Sequence, residues 1–291
     1  MGISNLVALL IQNQIIMSAI YEPKGAAREY SPLAINYIKG CDHGCVYCYV
    51  PKIMKRFDSG YVHSNVYAKE ETALLKEIER SCKKHRDSEK QVFMSFLTDP
   101  YSSFNEHTKL TRKVLLLLLE YNIPVSILSK GGMRINEDLD IFKMFGKNIQ
   151  VGASLTFTSV TDAKKWEKTA AVPEDRFNSL KQLHDAGIRT WASMEPVIFP
   201  DQSLEIMEIT KNYVDSYKIG KLNHFPKHEQ KFNWTSFLNA AIKTMRKNNK
   251  LFYIKNDLAK WADEETVLTP NERDMDFLAI KNSRLKELSL F

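Results

Sequence analysis

Three of the four cysteines in this chain fall within eight residues, Cys41-Asp42-His43-Gly44-Cys45-Val46-Tyr47-Cys48, in the spacing C-x3-C-x2-C. Three thiolates on one tight loop can converge on a soft metal centre. Three donors do not close a four-coordinate site, so one metal corner stays open for a substrate or cofactor, as in reactive rather than structural centres. Gly40 and Gly44 let the backbone turn around such a centre without a Cβ clash. The spacing leaves three readings open: a [4Fe–4S] cluster with one non-cysteine iron, a zinc ion with His43 or His63 as fourth ligand, and a chance grouping of structural thiols. Cys82 stands apart, on a charged helix end beside Lys83 and Lys84, which could lower its pKa. Its position ahead of a strand favours an inert thiol.

The elements that must hold this loop follow from the apolar pattern. Short strands are expected at residues 33–38, 92–96, 125–128, 149–155, 190–194 and 216–219, with amphipathic helices at 70–84, 109–121, 137–145, 174–186 and 204–214. Strands alternating with helices argue for βα units on a parallel sheet. Six such units suggest a full or partial barrel, with its chemistry at the C-terminal ends of the strands. The cysteine loop begins just after the first strand, where a barrel has its active site. Beyond Asn223 the pattern loosens into a helix near 234–248, a strand near 251–254 and a charged tail.

Bulk properties bound the function without naming it. The 291 residues are 44% apolar and 26% charged, an ordinary globular composition that excludes a disordered chain, a collagen-like fibre and a disulfide-stapled miniprotein. Lys+Arg 41 against Asp+Glu 35 leaves a formal charge of +6, which permits a polyanionic partner without requiring one. Residues 6–20 are largely apolar but are broken by Gln12, Asn13, Gln14 and Ser18, and no Lys or Arg precedes them. They read neither as a secretory signal nor as a membrane span, and Met17 could be the natural start. The expected setting is cytoplasmic and reducing, with no membrane association. There, clustered cysteines more often bind metal than form disulfides.

With aromatic Tyr47 inside it, the cysteine motif resembles the C-x3-C-x-Φ-C signature of the radical S-adenosylmethionine (radical SAM) superfamily. The longer string from Asn36 to Tyr49 is similar to the spore photoproduct lyase-like branch, whose members are often labelled DNA repair photolyases. Leu97-Thr98-Asp99-Pro100-Tyr101, Leu128-Ser129-Lys130, residues 170–176 and Met194-Glu195-Pro196 fit the same branch in order. The resemblance covers roughly residues 30–225. It implies an α/β fold, a partial (βα)6 TIM-like barrel of the radical SAM type. The corresponding division is an N-terminal extension at 1–30, the core barrel at 31–225 and a C-terminal extension at 226–291.

The same resemblance implies an enzyme holding a [4Fe–4S] cluster on Cys41, Cys45 and Cys48, with S-adenosyl-L-methionine on the open iron. An electron from a flavodoxin- or ferredoxin-type donor would split the sulfonium and yield a 5′-deoxyadenosyl radical; the cofactor carries the hard chemistry and the protein places and shields it. Thr98 and Asp99 would receive the cofactor's ammonium, Lys130 with Ser129 its carboxylate, Ser154 its ribose, and Glu195 the ribose or the substrate, with Tyr47 near the adenine. Arg112 and Arg176 read as structural ion-pair formers. Spore photoproduct lyase carries a further cysteine before the Thr/Asp segment; here Phe96 or Leu97 stands there. Tyr49 or Tyr101 are then the candidate hydrogen donors.

Three substrate classes follow. The branch, the basic charge, and Tyr217, Phe225, Phe232 and Trp234 as possible stacking partners point to modification or repair of a nucleic acid or nucleotide. The same barrel could modify a peptide or small metabolite, since fold does not carry substrate. A zinc-binding module without catalysis is the third.

Overall fold

The computed structural model describes residues 19–283; Met17 and most of the apolar run at 6–20 lie outside the described residues. Eight strands form one sheet in sequence order. They are β1 (Ile20–Tyr21), β2 (Leu33–Ile35), β3 (Val92–Met94), β4 (Val125–Ser129), β5 (Ile149–Ser154), β6 (Arg189–Val197), β7 (Ser216–Lys221) and β8 (Leu251–Ile254). β1 runs antiparallel to β2 and every other neighbour is parallel. All six expected core strands form, as does the one expected near 251–254, and β1 is added at the other flank. The sheet curls as a partial barrel and does not close, because β1 and β8 are not partners.

Several boundaries differ from the expectation for identifiable reasons. β2 stops at Ile35 because the next residue, Asn36, turns its side-chain oxygen to the N–H groups of Phe96 and Leu97 at 2.9 and 3.1 Å. β6 runs on to Val197, with a register break between Met194 and Val197. Pro196 lies in that break, and proline has no N–H for the ladder.

Helices pack on the outer face of the sheet. Trp234–Lys247 is capped by the Asn233 side chain, which accepts from Ser236 N–H at 3.0 Å. It buries Trp234, Phe237, Leu238, Ala241, Ile242 and Met245, a period of three to four residues that makes one continuous stripe. Tyr217 and Trp234 are thus core residues, 0% and 1% exposed, and are not available to stack on a base. Glu71–Lys84 is capped by Glu70 and turns Leu74, Ile78 and Cys82 to the core.

The inner face has a different character. Phe93, Phe96, Trp191 and Tyr30 form one aromatic group with ring centroids 4.5–6.5 Å apart. Gly152 makes room for it, since a Cβ there would lie 2.5 Å from the Trp191 ring. Residues 28–30 seal the open side of the barrel. The Glu29 carboxylate accepts from Tyr253 Oη–H at 3.0 Å and Asn256 N–H at 2.9 Å, and Lys218 Nζ donates to the carbonyls of Glu29 and Tyr30 at 2.6 and 2.9 Å. Among the described residues, no helix is long and apolar enough to cross a membrane.

Burial and neighbouring Lys255 bring the Lys218 amine down to about 7. An unfolded lysine holds its proton to about pH 10. Between those values the unfolded chain binds more protons than the folded one, so stability rises with pH over that window. Lys218→Met should therefore flatten the rise in denaturation midpoint between pH 7 and pH 9 relative to the parent; an unchanged slope would contradict the assignment.

Candidate metal centre

Cys41, Cys45 and Cys48 leave the end of β2 on a loop whose backbone is held from two sides. On one side Val46 N–H donates to Trp166 at 2.8 Å, Thr169 N–H to His43 at 3.2 Å, and Cys45 bridges Glu167. On the other, Cys41 N–H donates to His63 at 2.7 Å and Lys39 bridges Tyr67. Gly40, at φ +82°, has no space for a side chain: a Cβ would lie 2.3 Å from the Asn65 carbonyl. The thiols are partly buried and unpaired as disulfides. Burial raises the pKa of all three, Cys45 to about 12 despite the Lys130 charge. A coordinated metal would take the place of those protons.

Two buried carboxylates anchor this loop to the strand ends. Asp99 accepts from Ser129 Oγ at 2.6 Å, Lys130 N–H at 2.7 Å and Tyr101 N–H at 2.9 Å, and lies 3.4 Å from His43 Nδ1. His43 Nε2 faces the Arg134 guanidinium at 3.3 Å. Guanidinium can only donate, so Nε2 accepts and the proton sits on Nδ1, toward Asp99. Burial lowers the His43 pKa and keeps the ring neutral. With both nitrogens engaged, His43 is not free to serve as a fourth metal ligand.

Glu167, which the sequence did not single out, is the second carboxylate. It is 2.5 Å from Arg176 Nη2, and the pair is almost wholly withdrawn from solvent. Tyr47 Oη–H donates to Glu167, as does Thr156 Oγ1 at 2.8 Å. Arg176 also donates to the carbonyls of Ala171 and Ser154, both at 2.9 Å. Arg176 is thus an ion-pair former, as expected, and Arg112 pairs with Asp138 and Asp140. Lys130 Nζ lies 5.6 Å from the Tyr47 ring centre. Burial disfavours its charge, but Cys45, Glu167 and Asp99 around it raise its pKa overall.

The remaining candidates divide. Thr98 Oγ1 is buried with no hydrogen-bond partner, and Ser154 closes β5, buried, with its carbonyl given to Arg176. Glu195 accepts from Lys255 Nζ at 2.5 Å and from Tyr30 Oη–H. Tyr49 is about half exposed and its hydroxyl donates to the Phe96 carbonyl at 3.2 Å. Tyr101 is 1% exposed in the outer core with its hydroxyl on Asp138 at 3.0 Å, turned away from the loop, and it leaves the set of hydrogen donors. Cys82 is fully buried, and burial, then Glu120 and Glu79, push its pKa up to about 12. The neighbouring lysines do not activate it.

The sequence matches the family described as the Radical SAM superfamily over residues 35–214. The chain belongs to that superfamily. It is similar to an uncharacterized protein of Methanocaldococcus jannaschii, 30% identical over 190 residues that make up 65% of this chain and 70% of that one. It is also similar to an uncharacterized protein of Acidianus two-tailed virus, 27% identical over 63% of this chain and 62% of that one. In fold it resembles Streptococcus suis SuiB bound to S-adenosylmethionine, with TM-score 0.56, 14% identity, and 79% of this chain on 51% of that one. It resembles equally spore photoproduct lyase with bound S-adenosylmethionine and dinucleoside spore photoproduct, with TM-score 0.57, 11% identity, and 83% of this chain on 80% of that one. The chain spans about half the length of SuiB.

Membership in the radical SAM superfamily implies a [4Fe–4S] cluster and S-adenosylmethionine. The donor types present suit both: three free thiols on a doubly clamped loop for the cluster, and the unpartnered Thr98 hydroxyl and the Lys130 ammonium for the polar end of the cofactor. Alanine at position 41, 45 or 48 should abolish iron binding after anaerobic reconstitution, whereas Cys82→Ala should keep it; iron loss in the latter would refute the ligand assignment. For the buried pair, burial pushes the Glu167 carboxyl up, but Arg176 and Lys130 hold it below its usual value. Its contribution is present above about pH 4.3 and is lost as pH falls through the lowered folded value. Glu167→Ala should cost about 3–5 kcal/mol in chemical denaturation at pH 7, because it leaves the Arg176 charge buried alone.

Proposed function

We propose that this chain binds a [4Fe–4S] cluster and S-adenosylmethionine and uses them on a substrate bearing a nucleobase, a nucleic acid or nucleotide. Together the two groups supply one-electron cleavage of a C–S bond and a 5′-deoxyadenosyl radical that takes a hydrogen atom from the substrate. Cys41, Cys45 and Cys48 would hold the cluster. Thr98 would accept from the cofactor's ammonium and Lys130 would meet its carboxylate. Asp99 has its oxygens committed to Ser129, Lys130, Tyr101 and His43. It therefore acts by orienting those groups rather than by direct contact. Tyr47 would lie beside the adenine, fixed by Glu167, and Ser154 beside the ribose.

The observation that carries the substrate class is the inner wall of the barrel. Phe96 and Tyr30, both partly accessible, stand over Phe93 and Trp191, and the Glu195–Lys255 pair rises next to Tyr30. Flat aromatic surface with adjacent donor and acceptor groups suits a base, for which stacking is worth about 1–3 kcal/mol. The extensive overlap with spore photoproduct lyase supports the same class. Tyr49, at the rim beside Cys48, is the side chain we assign to return a hydrogen atom. An acidic flavodoxin- or ferredoxin-type carrier would supply the electron. SuiB in complex with its precursor peptide SuiA shares the fold at TM-score 0.59, which keeps a peptide as the second reading.

Anaerobically reconstituted protein with dithionite and S-adenosylmethionine should release 5′-deoxyadenosine, and single-stranded or dinucleotide DNA should raise the yield where an unstructured peptide does not. Iron-loaded protein that releases none overturns the reaction. Stimulation by peptide alone overturns the substrate class. Lys130→Ala should weaken S-adenosylmethionine binding about tenfold or more at unchanged iron content, the loss expected for one charge-assisted contact.

A further inference from the structure

The segment at 61–67 lies against the cysteine loop and delivers one side chain to a ligand sulfur. His63 Nε2 is 3.5 Å from Cys48 Sγ, and its Nδ1 is 2.8 Å from Tyr61 Oη. In an imidazole bonded through both ring nitrogens, one nitrogen accepts while the other donates. Gly40 N–H donates to the Tyr61 oxygen. With the Tyr61 hydroxyl donating to His63 Nδ1, the ring proton sits on Nε2, facing the sulfur. The backbone fixes the arrangement: the His63 carbonyl accepts from Cys41 N–H at 2.7 Å, and Asn65 N–H closes on Val62 at 3.1 Å.

We propose that His63 donates a hydrogen bond to the Cys48 sulfur and thereby raises the reduction potential of the cluster this loop holds, with Tyr61 setting the tautomer. The inference rests on the cluster reading above. A donor on a thiolate ligand withdraws electron density, and this stabilises the reduced cluster, which carries one more negative charge. In this role His63 acts through the Cys48 sulfur, as a tuning residue. A fourth metal ligand would stand at a similar distance from a ligand sulfur, so the iron content of the His63 variants separates the two roles.

The test is a potentiometric titration of anaerobically reconstituted full-length chain, parent against His63→Phe, His63→Gln and Tyr61→Phe, with iron and sulfide measured on the same samples. We expect parental iron content in all four. His63→Phe should shift the one-electron reduction equilibrium about tenfold toward the oxidised cluster, which is about 59 mV. His63→Gln, whose amide can still donate, should recover most of the shift, and Tyr61→Phe should give a smaller shift in the same direction. A parental potential in fully loaded His63→Phe overturns the proposal. So does loss of iron in both His63 variants, which would make the residue a ligand. A parent that takes up no cluster overturns the underlying cluster reading as well and is recognised by its iron content alone.

Discussion

Withdrawing Glu167 and Arg176 from water costs several kcal/mol for each charge. The structure offsets this by giving their polar groups partners: Arg176 reaches two backbone carbonyls as well as Glu167, and Glu167 takes Tyr47 and Thr156 besides. Because Glu167 also bridges Cys45 through its backbone, this one pair links the segment between β5 and β6 to the middle of the cysteine loop. Asp99 performs the matching task on the other side. It joins the ends of β3 and β4 to His43, so the loop is held between two carboxylates with little freedom to spread. Such stiffness suits a site that must hold a sulfonium cofactor against one corner of a cluster and keep water away.

The fold was legible where the apolar runs are long. The six central strands, the large helices and the loop after the first strand all follow from periodicity and from three cysteines written close together. β8, expected near 251–254, forms at Leu251–Ile254. β1 was harder, because two residues such as Ile20–Tyr21 carry no period. The supporting charges were least legible. Tyr47 and Glu167 are 120 residues apart, and Tyr30 and Glu195 are 165 apart. Each is an ordinary residue locally, and only the curl of the sheet brings them together. Tyr101 misled for the same reason: its neighbour Asp99 turns toward the loop, while the Tyr101 ring falls into the outer core.

The inner wall of the barrel is unevenly furnished. Aromatic rings from β3, β6 and residue 30 fill one half. Lys218, Lys255 and Glu195 occupy the other, with Gly220 leaving room where a Cβ would sit 3.0 Å from Lys255 and 3.1 Å from Glu195. The alternation along β6 produces this division. Trp191, Ser193 and Glu195 point inward and contact Tyr30, whereas Ala192 and Met194 join the outer core. The bulge at Pro196 comes one residue later, so the inward sequence ends on a carboxylate at the rim.

Trp191 and Phe93 are both 2% exposed, and with Tyr30 they pack into one aromatic floor on the inner face of the sheet. Under the proposed function, a long partner would present a single unit to this aromatic floor. How far one monomer can be turned out of its chain would then count for as much as its chemical identity.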